Sequence, residues 1–253
     1  MSVTASASQR LEKRQILSII IPCFNEELGL PNLFDKLAPT LSELGTINDL
    51  EVIFIDDGST DRTYSILESE CNNDPRMRVV KHERNRGIGA AVRTGFSSAR
   101  GDILVATDSD CTYPVKEIPR MLELLDDGCD IVTASPYHPD GNVMNVPNYR
   151  LFLSKGVTRL YNLVLRTHIH TYTAMFRAYK RKVIEEVNFE SDSFIAMVEI
   201  LARAVSKGFV VKEMPTTLYS RVYGTSKMKM MKVIWGHMTF IVKVRSLGDH
   251  DGG

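Results

Sequence analysis

No run of apolar residues in this 253-residue chain approaches the roughly 20 needed to cross a bilayer, and the N-terminus carries no apolar signal core. A membrane-spanning chain is therefore not expected. The expectation is a cytoplasmic protein that lies on a membrane if it meets one. Only four cysteines occur (Cys23, Cys71, Cys111, Cys129), with neither C-x-x-C nor cysteine–histidine spacing. This argues against a disulfide framework or zinc ribbon and implies reduced thiols. Lys plus Arg and Asp plus Glu number 31 each, so the formal net charge is zero and nucleic acid is not an expected partner. One further absence is local: no Asp or Glu occurs from Gly141 through Ile184 or from Met214 through Gly248, although both stretches carry Lys and Arg. An anionic surface or acceptor would meet no repulsion there.

What is present is an ordinary globular composition, 43% hydrophobic and 25% charged, long enough for one large domain. Residues 1–15 are rich in Ser and Ala, then charged, with no apolar period, and are expected to form a disordered tail. From Ile16 onward, β-branched runs alternate with helical patterns. Strands are expected at Ile16–Ile21, Glu51–Ile55, Met77–Lys81, Asp102–Thr107 and Ile131–Ala134, with helices around Gly29–Leu44, Thr60–Cys71, Ile88–Ala99 and Val115–Leu125 between them. This order implies an α/β, Rossmann-like, mostly parallel sheet with helices on both faces. Pro136–Pro147 reads as a loop. It precedes a helix Tyr149–Arg166, a strand Ala174–Tyr179, a helix near Phe194–Lys207 and a strand Phe209–Glu213. The main domain is expected over residues 16–227, and 228–253 as an amphipathic C-terminal helix and tail. In the helix, Trp235, Phe240 and Ile241 alternate with Lys229, Lys232, Lys243 and Arg245. It would rest in a membrane interface or on a membrane subunit, or pack on its own domain. His237 within it reads as structural.

The chemistry sits at the strand ends. Asp108-Ser109-Asp110 follows the fourth strand, where two carboxylates two residues apart could hold a hard divalent cation shared with substrate phosphates. Turns and helix caps use the same triplet. Pro22-Cys23-Phe24-Asn25-Glu26 follows the first strand: Phe24 could stack on a base or ribose and Glu26 could accept a hydrogen bond, or the segment could simply cap a helix. Asp56-Asp57-Gly58-Ser59-Thr60-Asp61 follows the second, offering carboxylates for a ribose or base N–H and a glycine for close backbone approach. Capping explains Ser59 and Thr60 equally well. Asn85-Arg86-Gly87-Ile88-Gly89-Ala90 opens the third helix with small residues. It lacks the third glycine and the downstream acid of a dinucleotide fingerprint, which disfavours a dehydrogenase.

These motifs, with Ala99-Arg100-Gly101-Asp102, Phe176-Arg177-Ala178-Tyr179 and Arg221-Val222-Tyr223-Gly224-Thr225-Ser226-Lys227, resemble the inverting glycosyltransferases of family 2. Within that family the likeness is to the dolichyl-phosphate mannose synthase-like, polyprenyl-phosphate sugar transferase branch. It runs from about Leu17 to Lys227. The resemblance implies a GT-A fold and a metal-dependent enzyme using Mn²⁺ or Mg²⁺. It also implies inverting transfer from a GDP- or UDP-linked sugar to a polyprenyl phosphate by a protein peripherally associated with the membrane. It implies a nucleotide site of Pro22, Phe24, Glu26, Asp56, Asp57, Gly58, Ser59, Gly87, Asp108 and Ser109. Asp108 and Asp110 would take metal and diphosphate, with Thr112 as a weaker ligand. Arg221, Ser226 and Lys227 would face phosphates, with Arg221 acting in catalysis; apart from the resemblance, Arg150, Arg177 and Arg221 are the cationic candidates to cradle an acceptor phosphate. The chain departs from the family pattern at Cys111-Thr112, at Pro136 and at Thr173-Ala174-Met175.

Cationic groups suit this chemistry independently. Negative charge grows on a departing diphosphate, and an acceptor phosphate is already an anion whose nucleophilic oxygen has no proton to lose. Two rivals are kept. Transfer to a sugar hydroxyl would need a carboxylate base, for which Asp192 or Glu199 are available. A nucleotide-sugar-binding subunit of a membrane complex would need no catalysis at all.

Overall fold

The computed structural model describes residues 15–223, 236, 237 and 239–241. Its centre is a seven-stranded sheet in the order β3-β2-β1-β4-β7-β5-β8. The strands are β1 (Ile16–Cys23), β2 (Asp49–Asp56), β3 (Met77–Lys81), β4 (Ile103–Ala106), β5 (Ile131–Ser135), β7 (Arg177–Lys180) and β8 (Val211–Pro215). All neighbours run parallel except β7, which is antiparallel to both β4 and β5. A second ribbon pairs β6 (Asn142–Met144) with β9 (Thr217–Tyr219). The segment expected to be only a loop, Pro136–Pro147, thus contains β6, whose partner lies far along the chain.

Side-chain alternation along the central strands builds two cores. Leu17, Ile19 and Ile21 of β1 and Val52 and Phe54 of β2 point to one face, where α1 (Leu30–Leu44) contributes Leu33, Leu37 and Leu41 and α4 (Ile118–Asp126) contributes Met121 and Leu125. Ile20, Ile53 and Ile55 point to the other, under α3 (Ile88–Ser98) and α7 (Ile195–Ser206). Two shorter helices, α2 (Thr63–Asn73) and α6 (Arg181–Glu186), and the long α5 (Asn148–Leu165) complete the layers. The expected helix Val115–Leu125 begins as a 3₁₀ turn, Val115–Glu117, before α4; Pro119 fits the first α turn, where no N–H partner is needed.

The Ala99–Asp102 motif has a structural explanation. Glu51 is nearly buried and accepts hydrogen bonds from Ser18 Oγ (2.6 Å), the Arg100 N–H (2.5 Å) and Arg100 Nε (3.2 Å). The Gly101 N–H donates to Ser18 Oγ (2.8 Å), and a side chain at Gly101 would collide with the β1 backbone. Arg181 clamps the same turn through the Gly101 and Ala99 carbonyls. These residues fasten the edge of β4 to β1 and take no part in the pocket.

Candidate active site

The carboxyl ends of β1, β2 and β4 open into a pocket of about 630 Å³, where an open α/β sheet collects its ligands. Its polar wall carries Pro22 at the end of β1 with Phe24 and Glu26 just after it, Asp57 after β2, Gly87 after β3, and Asp108, Ser109, Asp110 and Thr112 after β4. Arg221 closes this end. One guanidinium nitrogen, Nη2, meets Glu26 Oε1, Nε donates to the Tyr223 carbonyl (2.6 Å), and Nε stands 3.9 Å from Asp110 Oδ2. The remaining wall is largely apolar: Tyr113, Tyr137, Leu153 and Val157 of α5, Met175, Phe194 and Leu218, with His237 beside them.

The two carboxylates after β4 are held by a tight turn. Asp110 Oδ1 accepts the Thr112 N–H (3.1 Å) across Cys111, which takes a left-handed conformation (φ 54°) that few non-glycine residues adopt. The Asp108 carboxyl is pushed well above its ordinary range, first by desolvation, then by the charge of Asp110; Arg221 opposes this and Glu26 adds to it. Arg221 holds its proton more tightly than usual: burial works against the cation, but Glu26, Asp110 and Asp108 outweigh it. Two crowded carboxylates with oxygen donors are the donor set that suits a hard divalent cation. Among the described residues no group of three or more His, Cys, Asp or Glu is arranged to hold a metal. Two aspartates leave most coordination positions to phosphate oxygens and water, which is how Mg²⁺ binds.

Several motif residues serve the loops instead. The Asn25 N–H donates to Ser59 Oγ (2.9 Å), the Thr60 N–H to Asn25 Oδ1 (2.7 Å) and the Glu26 N–H to Thr63 Oγ1 (2.7 Å). Asp56 is fully buried and accepts the Ser59 N–H (3.2 Å). Gly58 has φ 70°, and a Cβ there would overlap the Arg84–Asn85 backbone. Asp56, Gly58 and Ser59 therefore stand behind the pocket wall, not on it. The Gly87 conformation (φ 97°) brings its backbone against Asp192, where a Cβ would overlap the carbonyl.

The expectation for Arg177 is corrected. It is completely buried on β7 and spends its fork on Thr133 Oγ1 (2.9 Å), the Tyr172 carbonyl (2.5 Å) and the Met197 carbonyl, out of reach of any phosphate in the pocket. Asp192 and Glu199 are also placed elsewhere. Asp192 pairs with Arg93 (2.8 Å), and Glu199 pairs with Arg203 (2.8 Å) while capping the Glu190 and Ser191 N–H groups; neither lines the pocket. Ser226, Lys227, the Arg150 side chain, the 1–14 tail and most of the C-terminal helix lie outside the described residues. Of that helix, His237 and Phe240 are buried against Tyr161, and burial depresses the His237 pKa to about 4. The aromatic and aliphatic wall as a whole was not foreseen from the sequence; the local signals were the departures from the family pattern at Pro136, beside Tyr137, and at Thr173-Ala174-Met175.

Comparison with known proteins agrees with this geometry. The chain is 33% identical over 217 residues to polyprenol monophosphomannose synthase of Mycolicibacterium smegmatis, covering 83% of this chain and 80% of that one. It is 32% identical over 230 residues to dolichol-phosphate mannosyltransferase of Pyrococcus furiosus, covering 90% of this chain but 63% of the relative, so it spans less than two thirds of that protein. In three dimensions it resembles glucosyl-3-phosphoglycerate synthase from Mycobacterium tuberculosis, solved with Mn²⁺ and UDP-glucose. There the TM-score is 0.67 at 19% identity, over 91% of this chain and 79% of that one, a likeness of fold, GT-A. Residues 18–187 match the family described as glycosyl transferase family 2, and with more than half of its length in that match the chain belongs to this family of glycosyltransferases.

Proposed function

We propose that this glycosyltransferase moves a sugar from a GDP- or UDP-linked donor to a polyprenyl phosphate, inverting the anomeric centre, with Mg²⁺ or Mn²⁺ as cofactor. The observation that carries the reading is the two-part pocket: carboxylates and Arg221 at one end, continuous with an apolar wall of Leu153, Val157, Met175, Phe194 and Leu218 at the other. A diphosphate and a lipid-linked phosphate can meet in it while the hydrocarbon runs along apolar protein. The names of the mycobacterial and archaeal relatives, a polyprenol and a dolichol mannose-phosphate enzyme, support the same acceptor class. Inversion rests on the family resemblance.

Asp108 and Asp110 would hold the divalent cation, which when bound neutralises charge on the leaving diphosphate. Pro22, Phe24, Glu26 and Asp57 would hold the nucleoside. Arg221 supplies cationic charge where the diphosphate leaves, worth more in the transition state than before it. Ser226 and Lys227 are assigned to phosphates by the resemblance, and Arg150 by its charge. No general base is required, because a phosphate monoester acceptor attacks through an unprotonated oxygen. That removes the need for Asp192 or Glu199, both already paired on other duties.

The outer face of α5 suits an enzyme resting on a membrane. Phe152 and Leu163 are 79% and 77% exposed, Tyr149 is exposed with them, and Lys155 and Arg159 lie on the same helix, in the acid-free stretch. The inner face of the helix lines the pocket, so a peripheral enzyme lying on α5 would hold its pocket next to the lipid. Among the described residues no helix is long and apolar enough to cross a membrane.

The test is a panel of GDP- and UDP-sugars with a polyprenyl phosphate or sugar acceptors, in Mg²⁺ or Mn²⁺, scored by product mass. A lipid-phosphate sugar is expected. Turnover with sugar hydroxyls alone would refute the acceptor assignment, and no turnover with any pair would favour a binding subunit.

A further inference from the structure

Asp57 lines the pocket yet is only 3% exposed, and its carboxylate is almost fully engaged from behind. Oδ1 accepts from His82 Nδ1 (2.7 Å) and the Arg86 N–H (2.9 Å); Oδ2 accepts the Gly87 N–H (2.8 Å). His82 is itself 6% exposed, does not line the pocket, and places Nε2 2.9 Å from Thr94 Oγ1 on α3. A carboxylate can only accept, so His82 Nδ1 carries a proton and donates to Asp57, while the hydrogen bond between Nε2 and the Thr94 hydroxyl holds the far side of the ring. Two carboxylate oxygens offer about four acceptor positions, and three are filled, leaving one on Oδ2.

We propose that His82, locked by Thr94, is a positioning residue for donor recognition. It fixes Asp57 so that one remaining acceptor position faces a ring N–H of the nucleobase, the lactam or imide N–H that guanine and uracil share and that adenine and cytosine lack. The inference rests on the nucleotide-sugar reading above and deepens it. Because the carboxylate is already fixed, binding the base costs little ordering of the protein. The backbone donors depend on glycine at 87, the position where a side chain would strike Asp192.

The full chain is titrated calorimetrically with UDP, GDP, CDP and ADP in Mg²⁺, and donor KM and kcat are measured for His82→Leu, His82→Asn and Thr94→Val, with circular dichroism to confirm folding. His82→Leu removes a hydrogen bond to a charged acceptor and should weaken UDP or GDP by about tenfold or more, raising donor KM with kcat changed less than about twofold. His82→Asn, whose amide N–H can take the place of Nδ1, should recover most of that loss. Thr94→Val should weaken binding by about threefold and carries the test if His82→Leu does not fold. CDP and ADP should bind weakly to all forms. The UDP and GDP arms decide which base supplies the N–H. The inference is overturned if the variants bind UDP and GDP like the wild type, if the loss lies in kcat alone, or if CDP and ADP lose as much. A wild type that binds none of the four would instead overturn the nucleotide-sugar reading and this inference with it.

Discussion

Replacing Arg177 with lysine separates a structural guanidinium from a phosphate-binding one. Arg177 is wholly buried and ties three pieces together: Thr133 on β5, the Met197 carbonyl of α7, and the Tyr172 carbonyl in the segment leading to Met175. Lysine keeps the charge and most of the length but loses the planar fork, so one ammonium cannot serve acceptors lying in three directions. Two lost hydrogen bonds from a charged group, at about 1.5–3 kcal/mol each, put the destabilisation at about 3–6 kcal/mol. For a domain of this size that lowers Tm by about 6–24 °C. The assay is thermal unfolding of wild type and variant, with acceptor KM measured below both transitions. Tm is expected to fall while the KM of the folded enzyme moves by less than about twofold. A variant melting within about 2 °C of wild type but with a tenfold higher acceptor KM would refute the reasoning and return Arg177 to the phosphate.

Asp110→Asn should nearly abolish turnover and weaken Mn²⁺ binding, read by calorimetry, while Tm stays level or rises because a charge crowding Asp108 is gone; undiminished turnover at limiting metal would sink the assignment. Glu51→Gln should lower stability at neutral pH. Burial alone would raise the Glu51 pKa, but hydrogen bonds from Ser18 and Arg100 and the charge of Arg78 bring it below the usual 4.5. A depressed carboxyl stabilises the fold above that value and loses the contribution as pH falls through its lower folded value. The wild-type Tm should therefore drop more steeply than that of the variant below pH 4.5, and parallel curves would refute the sign. Gly58→Ala should cost more than about 1 kcal/mol in urea unfolding, because a left-handed residue gains a side chain against the Arg84–Asn85 backbone. It should also raise donor KM by shifting the loop that donates to Asp57; a neutral variant would show that the backbone yields there.

The layers were legible because the central strands are continuous apolar, β-branched runs buried on both faces and the helices carry apolar stripes. Met77–Lys81 was found to the residue, and most other elements within one to three. Strand direction was not legible: the residues of β7 read as any buried strand, and its antiparallel insertion between β4 and β5 depends on how the chain returns through the segment after α5. The β6–β9 ribbon was hidden because three-residue strands joining Asn142 to Thr217 have no local signature. In the site, the acids after β4 stood out because metal and phosphate chemistry restricts residue type. Asp56, Gly58 and Ser59 looked identical in kind to ligand contacts because loop locking uses the same short polar residues. Arg177 looked like a phosphate ligand for the same reason, since sequence does not reveal which way a guanidinium turns. Most of the apolar wall was silent because residues such as Phe194 and Leu218 carry no chemical signature, while Met175 stood out only as bulk in the departure at Thr173-Ala174-Met175.

The charges at the pocket give the strongest reason to expect a cation there. The described lining carries four carboxylates, Glu26, Asp57, Asp108 and Asp110, against one guanidinium, Arg221, and that guanidinium is already paired with Glu26. Asp57 is compensated by three N–H donors, but among the described residues Asp108 and Asp110 have no comparable set, and the Asp108 carboxyl is pushed up first by burial and then by the charge of Asp110. A doubly anionic diphosphate would be repelled by such a wall. The same residues become a favourable site when a divalent charge sits between carboxylates and phosphate, since each anion then faces a cation at short range in a partly desolvated setting. The zero net charge of the chain conceals this division: acids gather on the pocket lining, while the acid-free stretch 141–184 contains α5 with its exposed Lys155 and Arg159.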